Sequence, residues 1–383
     1  MKPIVVLGSG LAGYTLVREL RKLDRDVAIT LISQDSGDYY SKPMLSNALA
    51  QGKTAESLVI TAAAEMARQL DITLLHHTEV LGIDRERKEL QTSAGAIEYH
   101  RLVLALGADT IRLPLQGDAA DAVVSVNDIG DYARFRGAIE SPTGAAKRIA
   151  IIGGGLIGCE FANDLAGAGY VVTVIDPTAY PLSGLLPEPA GRQLLAPLAA
   201  LGVTWRFGAA VQAVDRSAAG YALMLTDGTS LAADAVLSAV GLRPRIALAR
   251  SAGLAVNRGI VVDAQLRSSD AAIFALGDCA EIEGRVLPYV LPIMHAARAL
   301  AQVLAGKDAR VEFPAMPVVV KTPAHPIAVV PVARDAIGAW RVLANGQGVK
   351  LGFFDANGQM SGFALTGEYA AERSTMAKQL AQL

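Results

Sequence analysis

The chain has 383 residues, enough for two or three domains. Apolar residues make up 52% of it and 37 residues are glycine, a composition that suits layered α/β folds with buried sheets. The formal net charge of −2, with no polybasic run, gives no argument for a nucleic-acid partner, and no apolar stretch reaches the length of a membrane span.

The first predicted strand, Ile4 to Leu7, begins almost at Met1 and leaves no room for a signal peptide, so a cytoplasmic protein is expected. Gly8, Gly10 and Gly13 follow in GxGxxG spacing, then a helical stretch, then a return strand, Val27 to Ile32. Glycines at these places permit a tight turn, a close approach of backbone to a pyrophosphate, and close packing of helix on strand. Such a unit usually ends in an acid for the adenosine ribose, but here Ser33 stands in that place. Asp35, two residues later, is either a turn residue or the replacement acceptor. In the next loop, Pro43 restricts Lys42 to extended backbone. Glu65 to Leu75 predicts a helix feeding a strand, and Glu79 to Ile97 a small antiparallel excursion. Arg101 to Ala108 is a buried strand ending at Gly107, where bare backbone can approach a ligand.

Residues 111 to 117 predict a crossover into a second domain, and Asp131 to Ile139 a helix. The stretch Arg148 to Asp176 then carries the full pattern: an apolar strand, Gly153, Gly155 and Gly158, a helix ending near Gly167, and a second apolar strand closed by Asp176. The helix N-terminus offers free N–H groups and a positive dipole end to phosphates, and Asp176 offers an acceptor to ribose hydroxyls. Two such units imply two dinucleotides, one a bound flavin and the other a diffusing nicotinamide. Asp176 would repel a 2′-phosphate, and Pro177 to Tyr180 contains no cation to neutralise one, so NADH is preferred to NADPH.

Pro187 to Leu201 predicts a helix, Tyr221 to Leu231 a hairpin, and Asp234 to Val240 a buried strand ending at Gly241, a further candidate cofactor contact. Another apolar strand delivers Gly277 and Asp278 to a sheet edge. Asp278 is a helix N-cap, an acceptor for a flavin ribityl hydroxyl, or both. Pro292 suits the first turn of a helix, 293 to 304, whose positive end would favour anionic reduced flavin. With a flavin present, Lys42 is either a solvated loop lysine or a cation at the N5/O4 edge. From Phe313 onward short alternating strands and a charged final helix form a small third domain containing Lys321 and His325, for which surface or capping roles are the default. Cys159 and Cys279 are far apart and form no CxxC pair, and no histidine has ligand spacing, which argues against a redox dithiol and a metal site.

Taken together, the two glycine motifs, Glu160 and the stretch Ile273 to Asp278 resemble the pyridine nucleotide-disulfide reductase fold flavoproteins along essentially the whole chain. More narrowly, YSKPMLS (40 to 46), GGGLIGCEFANDL (153 to 165), SAVGLRP (238 to 244), ALGDCAE (275 to 281) and MPVVVKTPA (316 to 324) resemble NAD-dependent rubredoxin reductases. The resemblance implies an α/β fold with two Rossmann-like, glutathione-reductase-like domains and a small α+β C-terminal domain. The FAD domain would be discontinuous, 1 to 110 and 242 to 312; the NAD domain would be 111 to 241 and the C-terminal domain 313 to 383. It implies that Gly8, Gly10, Gly13, Gly107 and Asp278 hold FAD, with Lys42 and Pro43 at its reactive edge. Glu160 would stand between nicotinamide and flavin, paired with Lys42, and Lys321 would approach the flavin. Ser33 departs from the family's acidic position, and Ala105-Leu-Gly107 from its frequent Ala-Thr-Gly. The implied activity passes hydride from NADH to FAD and single electrons to rubredoxin. A [2Fe–2S] ferredoxin reductase, a reductase for a rubredoxin-like domain of a nitric oxide or oxygen reductase, and a flavin-bound redox sensor are the alternatives. A peroxidase or NADH oxidase would need a cysteine near Pro43 to Ser46, where none stands.

Overall fold

The computed structural model describes residues 2–140, 147–333 and 335–380. The chain folds as two units, Met1–Lys42 with Ser57–Asp109 and Leu242–Phe313, and Pro43–Glu56 with Thr110–Gly241 and Pro314–Leu383.

In the first unit the strand Ile4–Leu7 is buried at every position, as a strand covered on both faces must be. It pairs in parallel with Ile29–Ile32 (Ile4 opposite Ile29) and with Arg101–Leu104 (Leu7 opposite Leu104). Ile273–Ala275 and Thr73–Leu75 close the two edges of this five-stranded sheet. The helix Leu11–Leu23 buries Tyr14, Leu16, Val17 and Leu20 and packs on the helix Val290–Leu304, which buries Ala296, Ala297 and Leu300 among others. The antiparallel excursion is present as the meander Val80–Asp84, Glu89–Thr92 and Gly95–Glu98.

In the second unit Arg148–Ile152 and Val171–Asp176 are the two inner strands of a four-stranded parallel sheet, with Ala235–Ser238 at one edge and Thr204–Phe207 at the other. The helix Leu156–Gly167 is buried at nine successive positions, Gly158 to Ala166. The predicted helix 187 to 201 is broken into Glu188–Gly191, a 3₁₀ turn Arg192–Leu194, and Leu195–Ala200. Pro197 has no N–H to continue an α ladder and is tolerated because a new helix starts just before it. The C-terminal part of this unit is a five-stranded antiparallel sheet in the order Val318–Val320, Ile327–Val330, Met360–Thr366, Val349–Asp355, Gly338–Asn345. The helix Arg373–Gln379 closes one core there, with Met376 and Leu380 against Val330, Phe363 and Leu365. Among the described residues no helix is long and apolar enough to cross a membrane.

Candidate active site

The two glycine motifs take the same shape. Gly8 and Gly153 follow their strands with φ of +117° and +106°, a region open to glycine and strained for other residues. A Cβ on Gly13 would fall 1.9 Å from the Gly8 carbonyl oxygen, and one on Gly158 1.9 Å from that of Gly153, so the third glycine of each motif is a steric requirement. A Cβ on Gly10, Gly107 or Gly155 would meet nothing within 4 Å, which is open space beside bare backbone. Gly10 and Gly155 are the N-caps of their helices and no side chain caps either end. Each motif thus leaves helix N–H groups and the positive dipole end exposed to an anion.

Asp278 lies within a 3₁₀ turn, Gly277–Cys279, whose cap position is Leu276 and carries no side-chain cap. The N-cap reading is therefore corrected, and an acceptor role remains. Burial pushes the Asp278 carboxyl above its ordinary range, while the charge of Lys42 opposes that shift. Ser33 and Asp35 belong to one hydrogen-bonded group with Ser9. Gly241, with φ of +110°, lies between the strands Ala235–Ser238 and Leu242–Pro244, not at the end of a strand running to Val240, and its carbonyl accepts from the Ile111 N–H at 3.0 Å.

In the second unit Asp176 is almost wholly buried and already satisfied. Its Oδ2 accepts from the Gly154 N–H at 2.6 Å, and its Oδ1 from the Thr178 N–H at 2.8 Å and the Thr178 hydroxyl at 2.5 Å. Thr178 was not singled out from the sequence, although a hydroxyl two residues after an acid is a known turn signal.

Glu160 has 0% exposure. Its Oε2 accepts from the Ser46 hydroxyl at 2.5 Å and from the Lys321 ammonium, and its Oε1 accepts from the Lys321 backbone N–H at 2.9 Å. Lys321 Nζ also donates to Ser46 Oγ at 3.3 Å. Burying a lone carboxylate costs several kcal/mol, and hydrogen bonds to a charged group return about 1.5–3 kcal/mol each, so this number of donors is what makes the position tenable. Lys42 belongs to the other unit, where its charge acts on Asp278. Lys321 is thus a part-buried ion-pair partner of a buried acid, a role beyond the surface or capping default.

Asn163 and Asp164 extend this arrangement. Asn163 Oδ1 accepts from the Ala324 N–H at 3.1 Å, and Asp164 accepts from the N–H groups of Leu49 (2.9 Å) and Ala50 (3.0 Å). Residues 160, 163 and 164 share one helix face, and three polar residues at that spacing in an otherwise apolar helix were the overlooked sequence signal. Pro43 and Ser46 lie in the 3₁₀ segment Lys42–Asn47, so Lys42 opens a helical turn and not the extended backbone expected before a proline; this face anchors the segment from Pro43 onward. Cys159 and Cys279 are fully buried; burial pushes both thiols up, Cys279 to about 12, which leaves them inert. Among the described residues no His, Cys, Asp or Glu cluster is arranged to hold a metal.

Twin glycine motifs at the carboxyl ends of two parallel sheets, one closed by a buried acid, define a two-dinucleotide oxidoreductase. The profile of the pyridine nucleotide-disulphide oxidoreductases matches residues 2–302, and the chain belongs to that family. Residues 310–380 match the rubredoxin binding C-terminal domain. The chain is 48% identical to a rubredoxin-NAD(+) reductase of Alcanivorax borkumensis over 99% of both chains. It is 40% identical to a nitric oxide reductase FlRd-NAD(+) reductase of Aeromonas hydrophila, covering 99% of this chain and 96% of the relative. The putidaredoxin reductase structure, solved as its covalent complex with putidaredoxin, matches with a TM-score of 0.87 at 27% identity, covering 99% of this chain and 93% of that one.

The family uses FAD and NAD(H), and the residues present fit both. Open backbone at Gly10, Gly107 and Gly155, two uncapped helix ends and a desolvated Asp278 are the features a pyrophosphate and a ribityl chain require.

Proposed function

We infer that this chain is an NADH:rubredoxin oxidoreductase acting in the cytoplasm. One NADH reduces two rubredoxins in turn, with release of NAD⁺ and one proton. The observation that carries the reading is the rubredoxin binding domain at 310–380, following the oxidoreductase domain at 2–302 in one chain. The rubredoxin-NAD(+) reductase relative, aligned end to end, supports it.

FAD, when bound, supplies two-electron acceptance from NADH and one-electron delivery to the acceptor. The chain's own residues bind and orient. The segments 1 to 110 and 242 to 312 are proposed to hold FAD, with Gly8, Gly10 and Gly13 on its pyrophosphate. Asp278 accepts a ribityl hydroxyl, and Ser33 and Asp35 serve the adenosine end. Lys42, Pro43 and Gly107 serve the reactive end, where the Lys42 ammonium stabilises negative charge. The segment 111 to 241 binds NADH: Gly153, Gly155 and Gly158 on the pyrophosphate, Asp176 on the ribose, Gly241 beside the sheet edge. Glu160 and Lys321 orient the nicotinamide end as a hydrogen-bonded pair, and 313 to 383 meets the acceptor. Hydride transfer needs no general base, which agrees with a site built from positioning groups.

A second reading keeps every residue assignment and changes the acceptor to a rubredoxin-like domain of a nitric oxide reductase; the Aeromonas hydrophila relative favours it. The deciding experiment is steady-state NADH oxidation with rubredoxin and with a [2Fe–2S] ferredoxin, each at limiting concentration. A higher kcat/KM with rubredoxin is expected. Preference for the ferredoxin would move the function to an oxygenase electron chain, and no acceptor-dependent turnover would leave a flavin-bound sensor.

A further inference from the structure

Pro177 follows Asp176 and has no N–H to offer, so the first backbone donor after the acid is Thr178. Its N–H meets Asp176 Oδ1 at 2.8 Å, an ordinary turn of an acid onto the second residue after it. That turn does not account for the rest of what holds Thr178. The Thr178 hydroxyl donates to the same Oδ1 at 2.5 Å. The Thr178 carbonyl accepts at 3.0 Å from the N–H of Gly208, just beyond the strand Thr204–Phe207. An exposed residue is thus fixed at its N–H, its side chain and its carbonyl. Such order costs entropy on a surface, and a preorganised contact is what it serves. Asp176 is the opposite case: it is 9% exposed and already accepts from the Gly154 N–H as well as from both groups of Thr178. Of the pair, Thr178 is the residue presented to solvent.

A threonine hydroxyl has one proton and two lone pairs. The Thr178 proton has two acceptors in reach, Asp176 Oδ1 at 2.5 Å and the Tyr180 carbonyl at 3.1 Å. The shorter contact is to a charged oxygen, and charge-assisted bonds are the stronger, so the proton belongs to Asp176. Among the described residues nothing donates to Thr178 Oγ1. The hydroxyl is therefore locked as an acceptor. It can take a hydrogen bond from a ligand hydroxyl and has no proton left to give.

We propose that Thr178 is a specificity-determining contact for NADH, its hydroxyl accepting from the adenosine 2′-hydroxyl and refusing a 2′-phosphate. The proposal rests on the reading that the Asp176 end of the second motif binds the adenosine ribose of NADH. A ribose hydroxyl has a proton to donate. A 2′-phosphate is largely deprotonated at pH 7 and brings only lone pairs to an oxygen whose proton is already spent. A site built to bond a hydroxyl discriminates against a ligand that cannot complete the bond. This rejection adds to the charge of Asp176, which also acts by holding the Thr178 proton.

The test is steady-state oxidation of NADH, NADPH and the 2′-deoxyadenosine analogue of NADH by the full-length, FAD-loaded protein. Ferricyanide serves as acceptor, so the identity of the protein acceptor does not enter. Thr178→Val keeps the branched shape and removes the hydroxyl. It should raise KM for NADH about fivefold at unchanged kcat, the size of one lost neutral hydrogen bond that is made equally before and during hydride transfer. It should leave kcat/KM for the 2′-deoxy analogue unchanged and should not lower that for NADPH. Thr178→Ser restores the hydroxyl and should recover most of the NADH value. Equal losses with all three nucleotides would mark a loosened turn and overturn the proposal. So would an unchanged KM for NADH in Thr178→Val, or a Thr178→Ser variant no better than Thr178→Val. If the unsubstituted protein does not oxidise NADH with ferricyanide, the nucleotide reading itself falls, and the proposal with it.

Discussion

A buried carboxylate is tolerated only in company, and Glu160 sets the conditions for Lys321. With Glu160 at 0% exposure and the Lys321 side chain at 29%, the lysine is the partner nearer to solvent. Removing the charge of Lys321 alone leaves an acid buried with only neutral donors. Lys321→Met should therefore destabilise the protein by about 3 kcal/mol, the usual cost of orphaning a buried ion. Lys321→Met combined with Glu160→Gln should be less destabilising than Lys321→Met alone, since no charge then remains to be compensated. Urea unfolding of the two single variants and the double variant measures the coupling; additive effects would show that the pair is not an energetic unit. Asp176 makes a different kind of prediction. If it meets the NADH ribose as proposed, its carboxylate would repel a 2′-phosphate, and no cation occupies 177 to 180. Asp176→Ala with Pro177→Arg should raise the ratio of kcat/KM for NADPH over NADH by about tenfold or more, the effect of removing a repulsion and adding an attraction. A ratio that does not move would take the ribose contact away from Asp176.

The helix Leu156–Gly167 does two jobs along its length. Its N-terminus carries no side-chain cap, and one turn further its polar face grips two other segments, Pro43–Glu56 through Ser46, Leu49 and Ala50, and the turn after Val320 through Lys321 and Ala324. Asp164→Ala removes the acceptor from two backbone N–H groups. Each unsatisfied buried donor costs about 1–3 kcal/mol, so faster hydrogen exchange at Leu49 and Ala50 is expected, with little change elsewhere in the sheet. In the turn from Lys321 to Pro326, His325 is buried and its Nε2 has no partner among the described residues. Burial lowers its pKa below the ordinary 6.5, so the unfolded chain takes up the proton first as pH falls. The stability it allows is complete above about pH 6.5 and declines below that value. His325→Leu should flatten the loss of urea midpoint between pH 7.5 and 5.5; an unchanged slope would assign the loss to other groups. The strands, both glycine turns and the acid at the end of Val171–Asp176 were legible in the sequence because they depend on local spacing and apolar runs. The partners of Glu160 were not, because Ser46 is 114 residues away and Lys321 161 residues away, and only the folded sheet brings them together. The break at 192 to 194 was missed for a related reason. Gly191 packs where a Cβ would fall 2.5 Å from the Pro181 carbonyl oxygen, a contact absent from any helical pattern.

For the whole molecule, charge is the property that bears on partner encounter. The chain carries a net −2, yet the segment 310–380, matched as rubredoxin binding, contains seven lysines and arginines against five aspartates and glutamates. The remainder of the chain is correspondingly more acidic. An acidic acceptor would thus be repelled weakly by the bulk of the molecule and attracted by the part matched as rubredoxin binding. Such a distribution selects an orientation more than it adds affinity, because exposed charges farther apart than a Debye length of about 8 Å at physiological salt are largely screened. The second-order rate for rubredoxin, kcat/KM at limiting acceptor, should accordingly fall as ionic strength rises from about 20 to 300 mM, while the rate of flavin reduction by NADH alone stays nearly constant. Reversing charge at exposed Lys378, in the final helix, with Lys378→Glu, should lower the first rate and weaken its salt dependence without touching the second. If both rates respond to salt alike, the effect lies in nucleotide binding. If neither responds, the C-terminal segment recognises its partner through apolar contact, and the net positive charge of 310–380 has no part in the encounter.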